Sequence, residues 1–357
     1  MTPDTNRADG TSACTAEDLE EVHEFQTKAH GGTYALDTSR FSWLFGGSAP
    51  GSDASDGAFS FWITRRGGRI VGTIGSIPFH LKVGDRTLRA AWGVEFMILP
   101  EWRGTAVGEE ITAERKRHLQ VSCGLGMSEA GHRAASRRSS VDMGGMPLYT
   151  ALLTPDAVID LLRPHARLAR AARPLAAIAA WLVGALCRLR STGSRLASIS
   201  EFDERADHLW RQASPAYPVL ARRDAAWLRW RFDQCPDRRL YQRYYLTRRG
   251  RLAGYVVTRD TTWSERPALT VVDYFAAPRD LGALFATVVT SARRRGAGVV
   301  LCQTLIPRRA FSLRWVGLVR RRARTRSTVW TAEGEPLASL VSDPSNWFLT
   351  AADSDVD

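Results

Sequence analysis

An internal repeat constrains the fold of this 357-residue sequence more than any other feature. Residues 61–74 and 244–256 each contain an aromatic strand, a Thr-Arg-Arg-Gly turn and a second strand with a glycine, a pattern typical of a β-hairpin. Each hairpin lies between a Trp-x-Phe sequence and an apolar strand followed by a proline. These flanking matches are Trp43–Phe45 and Val94–Pro100 in the first copy, and Trp230–Phe232 and Val272–Pro278 in the second. Three matches in the same order indicate a tandem duplication.

Both copies continue in the same way after the proline. Each has a helical segment, an apolar strand and a second helical segment: Val107–Gln120, Ser122–Met127 and Ala134–Met143 in the first copy, then Leu281–Arg295, Gly298–Thr304 and Ala310–Val316 in the second. Strands followed by alternating helices and strands predict an α/β fold. We therefore expect two tandem domains, each with a mixed, mostly antiparallel sheet flanked by helices on both faces.

The duplication also sets the expected domain boundaries. We predict an N-terminal domain over 15–155, a helical linker over 156–200 and a C-terminal domain over 201–350. The polar residues 1–14 are expected to form a disordered tail, and 351–357 an acidic tail.

The linker contains a 14-residue uncharged run, Pro174–Cys187, with arginines on both sides. Since a membrane span needs about 20 apolar residues, the run is too short to cross a bilayer. The pattern favours a helix buried between the domains. The alternative is a helix lying in a membrane interface, with its arginines at anionic headgroups.

The formal charge of +12 favours phosphate-rich partners, although an arginine-rich proteome explains it equally well. Three arginine clusters, Arg137–Arg138, Arg293–Arg295 and Arg320–Arg324, lack an aromatic stacking motif and favour solvated helix faces over nucleic-acid binding. Five scattered cysteines form no metal-binding or disulfide pattern, so we expect no metal site. The N-terminus shows no secretory signal, and we expect a cytoplasmic protein.

An anion-binding segment follows the strand at Val94–Ile98. A proline ends this strand, and Arg103–Gly108 then opens a helix. The first turn of a helix leaves backbone N–H groups without partners, and the helix dipole adds partial positive charge. Small residues at 104, 106 and 108 would let a pyrophosphate approach the backbone, and Arg103 adds a charge-assisted contact.

This segment resembles the acyl-CoA signature of the GNAT superfamily, Arg/Gln-x-x-Gly/Ala-x-Gly/Ala, at Arg103, Ala106 and Gly108. Over about 15–349 the layout is similar to tandem-GNAT proteins, which also show the Trp-x-Phe entry, a run like that at Arg223–Arg231, and the closing Trp347–Thr350. The resemblance implies acetyl-CoA as the donor, held by two backbone segments. These are Phe96, Met97 and Ile98 for the pantetheine, and Arg103, Gly104, Thr105, Ala106, Val107 and Gly108 for the pyrophosphate.

Two side chains are candidates for proton transfer. Glu95 lies within an apolar strand beside the implied thioester path, where desolvation would raise the pKa of a general base. Its alternative is a structural carboxylate paired with an arginine, since Asp273 has the same place in the second copy. His132 is a candidate acid, base or substrate ligand, and its alternative is a solvent-exposed loop histidine.

The sequence departs from the family at the general acid. Many family members use a tyrosine on the helix after the fifth strand, but residues 132–145 contain none, and Tyr149 follows on the expected last strand. Ser139, Ser140 or water are the substitutes. In the second copy, Asp280 replaces the small residues near the helix start, so we expect this copy to bind no CoA and to shape an acceptor cleft.

The predicted function is a CoA-dependent N-acyltransferase that acylates a primary amine of a small molecule or amino sugar by direct transfer. One alternative is a Fem-like transferase that uses aminoacyl-tRNA, which the basic charge suits but the complete Arg103–Gly108 loop disfavours. Another is a non-catalytic acyl-CoA-binding scaffold, which the missing tyrosine favours.

Overall fold

The computed structural model describes residues 8–31, 37–51, 58–137, 139–160, 172–307, 313–321 and 325–354. Several segments interpreted above lie partly outside these ranges: both tails, the linker, the second helical segment of the second copy, and the arginine clusters at 137–138 and 320–324.

The described residues form an α/β protein. The strands are β1 (Gly10–Thr15), β2 (Ala58–Arg66), β3 (Arg69–Val83), β4 (Arg86–Ile98), β5 (Val121–Leu125), β6 (Val141–Met146), β7 (Leu148–Leu152), β8 (Ser194–Ile199), β9 (Val219–Ala221), β10 (Gln242–Arg248), β11 (Arg251–Trp263), β12 (Arg266–Ala276), β13 (Val299–Leu305), β14 (Val319–Arg320), β15 (Thr325–Thr331) and β16 (Trp347–Thr350). The helices are α1 (Leu19–Ala29), α2 (Thr38–Phe45), α3 (Val107–Lys116), α4 (Glu129–Arg137), α5 (Pro155–Asp160), α6 (Arg173–Arg190), α7 (Arg205–Ala213), α8 (Ala225–Leu228), α9 (Pro278–Arg294) and α10 (Ala338–Val341).

The chain divides into two compact units. Unit 1 comprises Met1–Gly144, Gln234–Pro236 and Arg326–Ser342. Unit 2 comprises Gly145–Asp233, Asp237–Thr325 and Asp343–Asp357.

The sheet of unit 1 has the strand order β1-β2-β3-β4-β5-β15-β6. Strands β1 to β4 pair antiparallel, β4 and β5 pair parallel, and β5 and β15 pair antiparallel. Unit 2 repeats this sequence of directions in the order β8-β10-β11-β12-β13-β7, with only β12 and β13 parallel. The mixed, mostly antiparallel sheets confirm the expected fold class.

The two predicted hairpins are both antiparallel, and each contains a β-bulge at the same place. The β2–β3 register shifts so that Val71 has no opposite residue, and the β10–β11 register shifts in the same way at Ala253. Each bulge adjoins a glycine, Gly72 or Gly254. A Cβ on Gly72 would lie 3.1 Å from Cγ1 of Val107, and one on Gly254 would lie 2.7 Å from a backbone oxygen. The glycines thus permit close packing at one equivalent place in each unit.

The sixth strand of each sheet comes from the other repeat, which differs from the expected domain boundaries. Leu148–Leu152 was expected to complete the N-terminal domain, but it pairs with β13 in unit 2. Ser327–Thr331 was expected in the C-terminal domain, but it pairs with β5 in unit 1. Alternating apolar residues specify a strand without specifying its partner, so the sequence pattern could not show this exchange.

Other expected boundaries also need correction. Gly10–Thr15, expected in the disordered tail, forms β1, and Ser194–Ile199, expected in the linker, forms β8. Ala351–Asp353, expected in the acidic tail, is a buried turn. The helix expected over Ala134–Met143 ends at Arg137 and is followed by β6, because its last residues have a strand pattern.

The linker helix is also not buried as expected. It corresponds to α6, where six large apolar side chains are exposed: Leu175, Ile178, Trp181, Leu182, Leu186 and Leu189. Its buried residues are small, among them Ala176, Ala180 and Gly184. The uncharged run gave no indication of which face would pack.

A buried charged network anchors the C-terminal turn in unit 2. The fully buried Arg223 forms ion pairs with Asp273, at 3.3 Å, and with Asp353. Thr350 donates to Asp273 (2.7 Å), and Tyr255 donates to the other oxygen of the same carboxylate (2.7 Å). Burial raises the pKa of Asp353 although Arg223 acts to lower it, so the arginine offsets a desolvation cost.

The Arg223→Met variant should therefore lose about 3–5 kcal/mol of stability, because two buried carboxylates lose their partner. Arg222→Met is the matched control. Arg222 is half-exposed and pairs with Asp224, so its loss should cost less than about 1 kcal/mol. Urea unfolding followed by circular dichroism checks both values. Equal midpoints for the two variants would contradict the anchoring role of Arg223.

Candidate functional site

The candidate site of unit 1 lies where its two parallel strands separate. Strands β4 and β5 pair only from Ala90 with Val121 to Trp92 with Cys123. Strand β4 continues to Ile98 and β5 to Leu125, without further pairing between them in the described residues. The separation leaves a gap in the sheet, and an extended ligand can enter this gap.

A β-bulge at Glu95 lies on the free part of β4. Thr73 is opposite Met97 and Gly75 is opposite Val94, so Glu95 and Phe96 together face one residue of β3. Glu95 has a φ of 50°, in the left-handed region that is unfavourable for a residue with a side chain. The hydroxyl of Thr73 donates to the Glu95 carbonyl at 3.1 Å. Such bulges redirect side chains and frequently occur at functional sites.

The Glu95 carboxylate is half-buried and contacts α1. Its Oε2 accepts a hydrogen bond from Nε2 of Gln26 at 3.4 Å, and Gln26 is fully buried on α1. Its counterpart in the repeat, Asp273, is instead part of the buried network of Arg223. The two acidic residues therefore have different surroundings in the two units.

A cavity of about 80 Å³ occupies the gap between β4 and β5. Its walls come from β3, β4, β5, α3, α4, β15 and the loops beside α4: Ile74, Gly93, Phe96, Thr112, Arg115, Lys116, Ser122, Cys123, Gly124, Met127, Gly131, Ala135, Ser140 and Thr328. Of the residues predicted for the site, Phe96 lines this cavity, as does Ser140, one of the substitutes for the missing tyrosine. Glu95 and His132 do not line it.

Arg115 is a buried charge at this cavity that the sequence analysis missed. Only 5% of its surface is exposed, and its guanidinium donates to Ser76 at 3.1 Å and to Ser122. Among the described residues it has no carboxylate within ion-pair distance. Burial lowers the pKa of Arg115 to about 10, so it stays protonated at neutral pH. An arginine on the inner face of an amphipathic helix was the signal available in the sequence.

The predicted phosphate loop lies at the start of α3, at the end of β4. Gly104 has a φ of 80°, which glycine tolerates without strain, and Ala106 is the N-cap of the helix. The Thr105 hydroxyl accepts a hydrogen bond from the N–H of Val107 at 3.4 Å, whereas the N–H groups of Ala106 and Gly108 donate no hydrogen bond within the described residues. The exposed side chain of Arg103 donates to the Ile98 carbonyl at 3.1 Å. Residues 103–106 are exposed and Gly108 is buried, and their backbone N–H groups are the kind of donor that an anion binds at a helix start.

His132 is buried on α4, and is not the solvent-exposed loop residue considered as its alternative. Its Nε2 lies 3.2 Å from an Asp142 oxygen, and its Nδ1 lies 3.5 Å from Nη1 of Arg326. Burial acts to raise the pKa of Asp142, but the Gly144 N–H and His132 outweigh it, and that pKa is lowered. His132 thus contacts both Asp142 and Arg326, a residue of the exchanged β15 segment.

The equivalent gap in unit 2 is filled by the chain itself. Strands β12 and β13 pair up to Val271 with Cys302, and β13 then pairs with β16 at Thr304 and Leu305. Thr350 of β16 hydrogen-bonds to Asp273 of β12, which closes the gap from the other side.

The start of α9 in unit 2 also differs from that of α3. The buried Asp280 lies in its first turn and accepts hydrogen bonds from Arg248 (3.0 Å) and Arg251 (2.7 Å). A carboxylate of the chain thus provides the negative charge that a phosphate would provide at α3. Tyr149 likewise belongs to unit 2, where it is opposite Cys302 and where burial raises its pKa.

No protein-family model matches the sequence, and no curated protein is significantly similar to it. Solved structures are similar in fold. A GCN5-related N-acetyltransferase from Anabaena variabilis matches with a TM-score of 0.61 and 11% identity, over 90% of this chain and 72% of that one. One from Kribbella flavida matches at 0.59 and 18%, over 92% and 72%. N-myristoyltransferase from Saccharomyces cerevisiae with bound myristoyl-CoA matches at 0.52 and 11%, over 92% and 86%. The fold is therefore that of the GNAT superfamily.

Two variants of Glu95 distinguish the effect of backbone strain on stability from the effect of the carboxylate. Both Glu95→Gly and Glu95→Gln remove the charge, but only glycine relieves the positive φ. We expect Glu95→Gly to be more stable than Glu95→Gln by about 1 kcal/mol. Urea unfolding of the two variants measures the difference, and a glutamine variant of equal or greater stability would exclude strain at this position.

Proposed function

We propose that the chain is a CoA-dependent N-acyltransferase that binds its acyl donor, acetyl-CoA, in unit 1. In this proposal the acyl group passes directly to a primary amine of a small molecule or amino sugar. The observation that carries the proposal is the open gap between β4 and β5 ending at the start of α3, where the N–H groups of Ala106 and Gly108 donate no hydrogen bond within the described residues. The fold shared with GCN5-related N-acetyltransferases and with a myristoyl-CoA-bound transferase supports it.

The residues of unit 1 suit such a donor chemically. The N–H groups of Ala106 and Gly108, with Arg103, would hold the pyrophosphate. The backbone of Phe96–Ile98, on the part of β4 that β5 leaves free, would hold the pantetheine. Acyl-CoA supplies an acyl group that is activated as a thioester. In unit 2 the chain fills both places, with β16 in the gap and Asp280 at the helix start, so we assign no donor to it.

Transfer to an amine releases one amine proton and leaves the CoA thiolate to be protonated. We assign the amine proton to Glu95, which lies on the part of β4 that β5 leaves free and whose carboxylate accepts a hydrogen bond from Gln26. The cavity-lining Ser140, or water, would deliver a proton to the thiolate. Positioning of the two substrates along the gap would supply most of the rate.

Donor binding is tested at the start of α3 with variants that preserve the fold. Ala106→Asp introduces a favourable N-cap residue, so stability should be retained or rise, yet its carboxylate repels a phosphate. We expect Ala106→Asp and Arg103→Glu to weaken acetyl-CoA binding by about tenfold or more, as measured by calorimetry. Arg117→Glu makes the same charge change at the other end of α3, and should retain the affinity.

The outcomes separate the competing functions. Equal affinity in Ala106→Asp and wild type would place the donor elsewhere. No binding to wild type at millimolar acetyl-CoA would exclude this donor, and filter binding of aminoacyl-tRNA at fixed salt would then test the Fem-like alternative. Binding without turnover on any amine would indicate a scaffold.

The carboxylate of Glu95 is tested by Glu95→Gln once an amine acceptor has been found. General-base catalysis contributes about 10²–10⁴-fold, so kcat should fall by that amount while acetyl-CoA affinity is unchanged. An unchanged kcat would show that Glu95 only shapes the bulge.

A further inference from the structure

The arrangement of side chains on α6 is the reverse of that on an ordinary surface helix. Its buried residues are small or polarisable, whereas its large apolar residues face solvent: Leu175, Ile178, Trp181, Leu182, Leu186 and Leu189, with exposed fractions between 37% and 74%. Their spacing of three and four residues places them along one side of the helix. We call this surface the α6 apolar face.

The buried side of α6 explains why small residues are needed there. Arg293 of α9 donates to the carbonyl of Ala180, and a Cβ on Gly184 would lie 2.4 Å from the Arg293 guanidinium. The helix therefore packs in unit 2 through its small side, and its large side chains face away from α9. A contiguous apolar surface of this kind marks an interaction site.

The charges around the α6 apolar face indicate what it contacts. The helix itself, Arg173–Arg190, contains three arginines and no aspartate or glutamate. Arg173 stands at the start of α6, where it pairs with Asp156 (3.2 Å), and Arg188 and Arg190 lie in its last turn. A second copy docked through this face would bring arginines against arginines, which disfavours a dimer. An anionic surface complements both the apolar residues and the arginines.

We propose that the α6 apolar face binds an anionic lipid membrane, with the helix lying in the plane of the interface. Trp181 and the leucines would enter the boundary between headgroups and acyl chains, and the arginines would contact lipid phosphates. No helix in the described part of the chain is long and apolar enough to cross a membrane. The proposal is independent of the proposed acyl transfer.

Vesicle flotation tests the proposal with the full-length protein. The vesicles contain phosphatidylcholine alone or phosphatidylcholine with phosphatidylglycerol. We expect binding to the mixed vesicles, weak binding to the neutral ones, and a decrease with added salt. Ile178→Glu/Leu182→Glu should reduce the bound fraction by about tenfold or more, and Arg188→Glu/Arg190→Glu should reduce it on anionic vesicles. Leu240→Glu, at another exposed leucine of unit 2, is the matched control and should bind as the wild type does.

Three results would overturn the proposal. The first is no flotation of the wild type with anionic vesicles. The second is equal flotation of Ile178→Glu/Leu182→Glu and Leu240→Glu. The third is a dimer in sedimentation that Ile178→Glu/Leu182→Glu dissolves, because a second copy would then cover the face. A membrane-dependent blue shift of tryptophan fluorescence that is missing in Trp181→Phe would support the proposed orientation independently of flotation.

Discussion

The separation of two parallel strands determines what each unit can do. Parallel neighbours share hydrogen bonds only while they stay about 4.8 Å apart, so a pair that diverges leaves unpaired backbone that needs other partners. In unit 1 the divergence follows Trp92 and Cys123, and the bulge at Glu95 accompanies it. In unit 2 it follows Val271 and Cys302, and β16 provides the partners. One topology therefore gives an open site in one unit and a closed core in the other.

The residues that close the gap in unit 2 include the buried carboxylate of Asp273, whose charge is balanced by Arg223. Thr350 reaches Asp273 only because β16 and its following turn stay in place, and Arg223 holds that turn through Asp353. At the start of α9, where a phosphate could otherwise bind, the carboxylate of Asp280 accepts hydrogen bonds from two arginines of the β10–β11 hairpin. Asp273 and Asp280 are buried and paired with arginines in unit 2, whereas Glu95 of unit 1 is half-buried and accepts a hydrogen bond from Gln26. The repeat thus separates a structural role from a candidate catalytic one.

Local features were predictable from the sequence, and long-range partners were not. The hairpins, the strand before Pro100 and the helix opening after Gly104 follow from glycine, proline and apolar periodicity, and the structure confirms them. The exchange of β7 and β15 depends on pairing between segments far apart in sequence, which periodicity does not encode. Two residues of the cavity could not be predicted. Thr328 lies on the exchanged strand β15, and the sequence around Arg115 is that of an ordinary helix with a surface arginine.

Packing within the chain does not explain why α6 exposes its large apolar side chains and buries its small ones. Large side chains buried against α9 would have contributed more stability than alanine and glycine, at about 25 cal/mol for each Å² of apolar surface buried. The chain instead leaves its leucines and Trp181 exposed and gives the buried side to the guanidinium of Arg293. Polar residues on the exposed side would have avoided the risk of aggregation without disturbing that packing. We therefore expect this face to contact a partner, and the arginines at its ends favour the anionic surface proposed above.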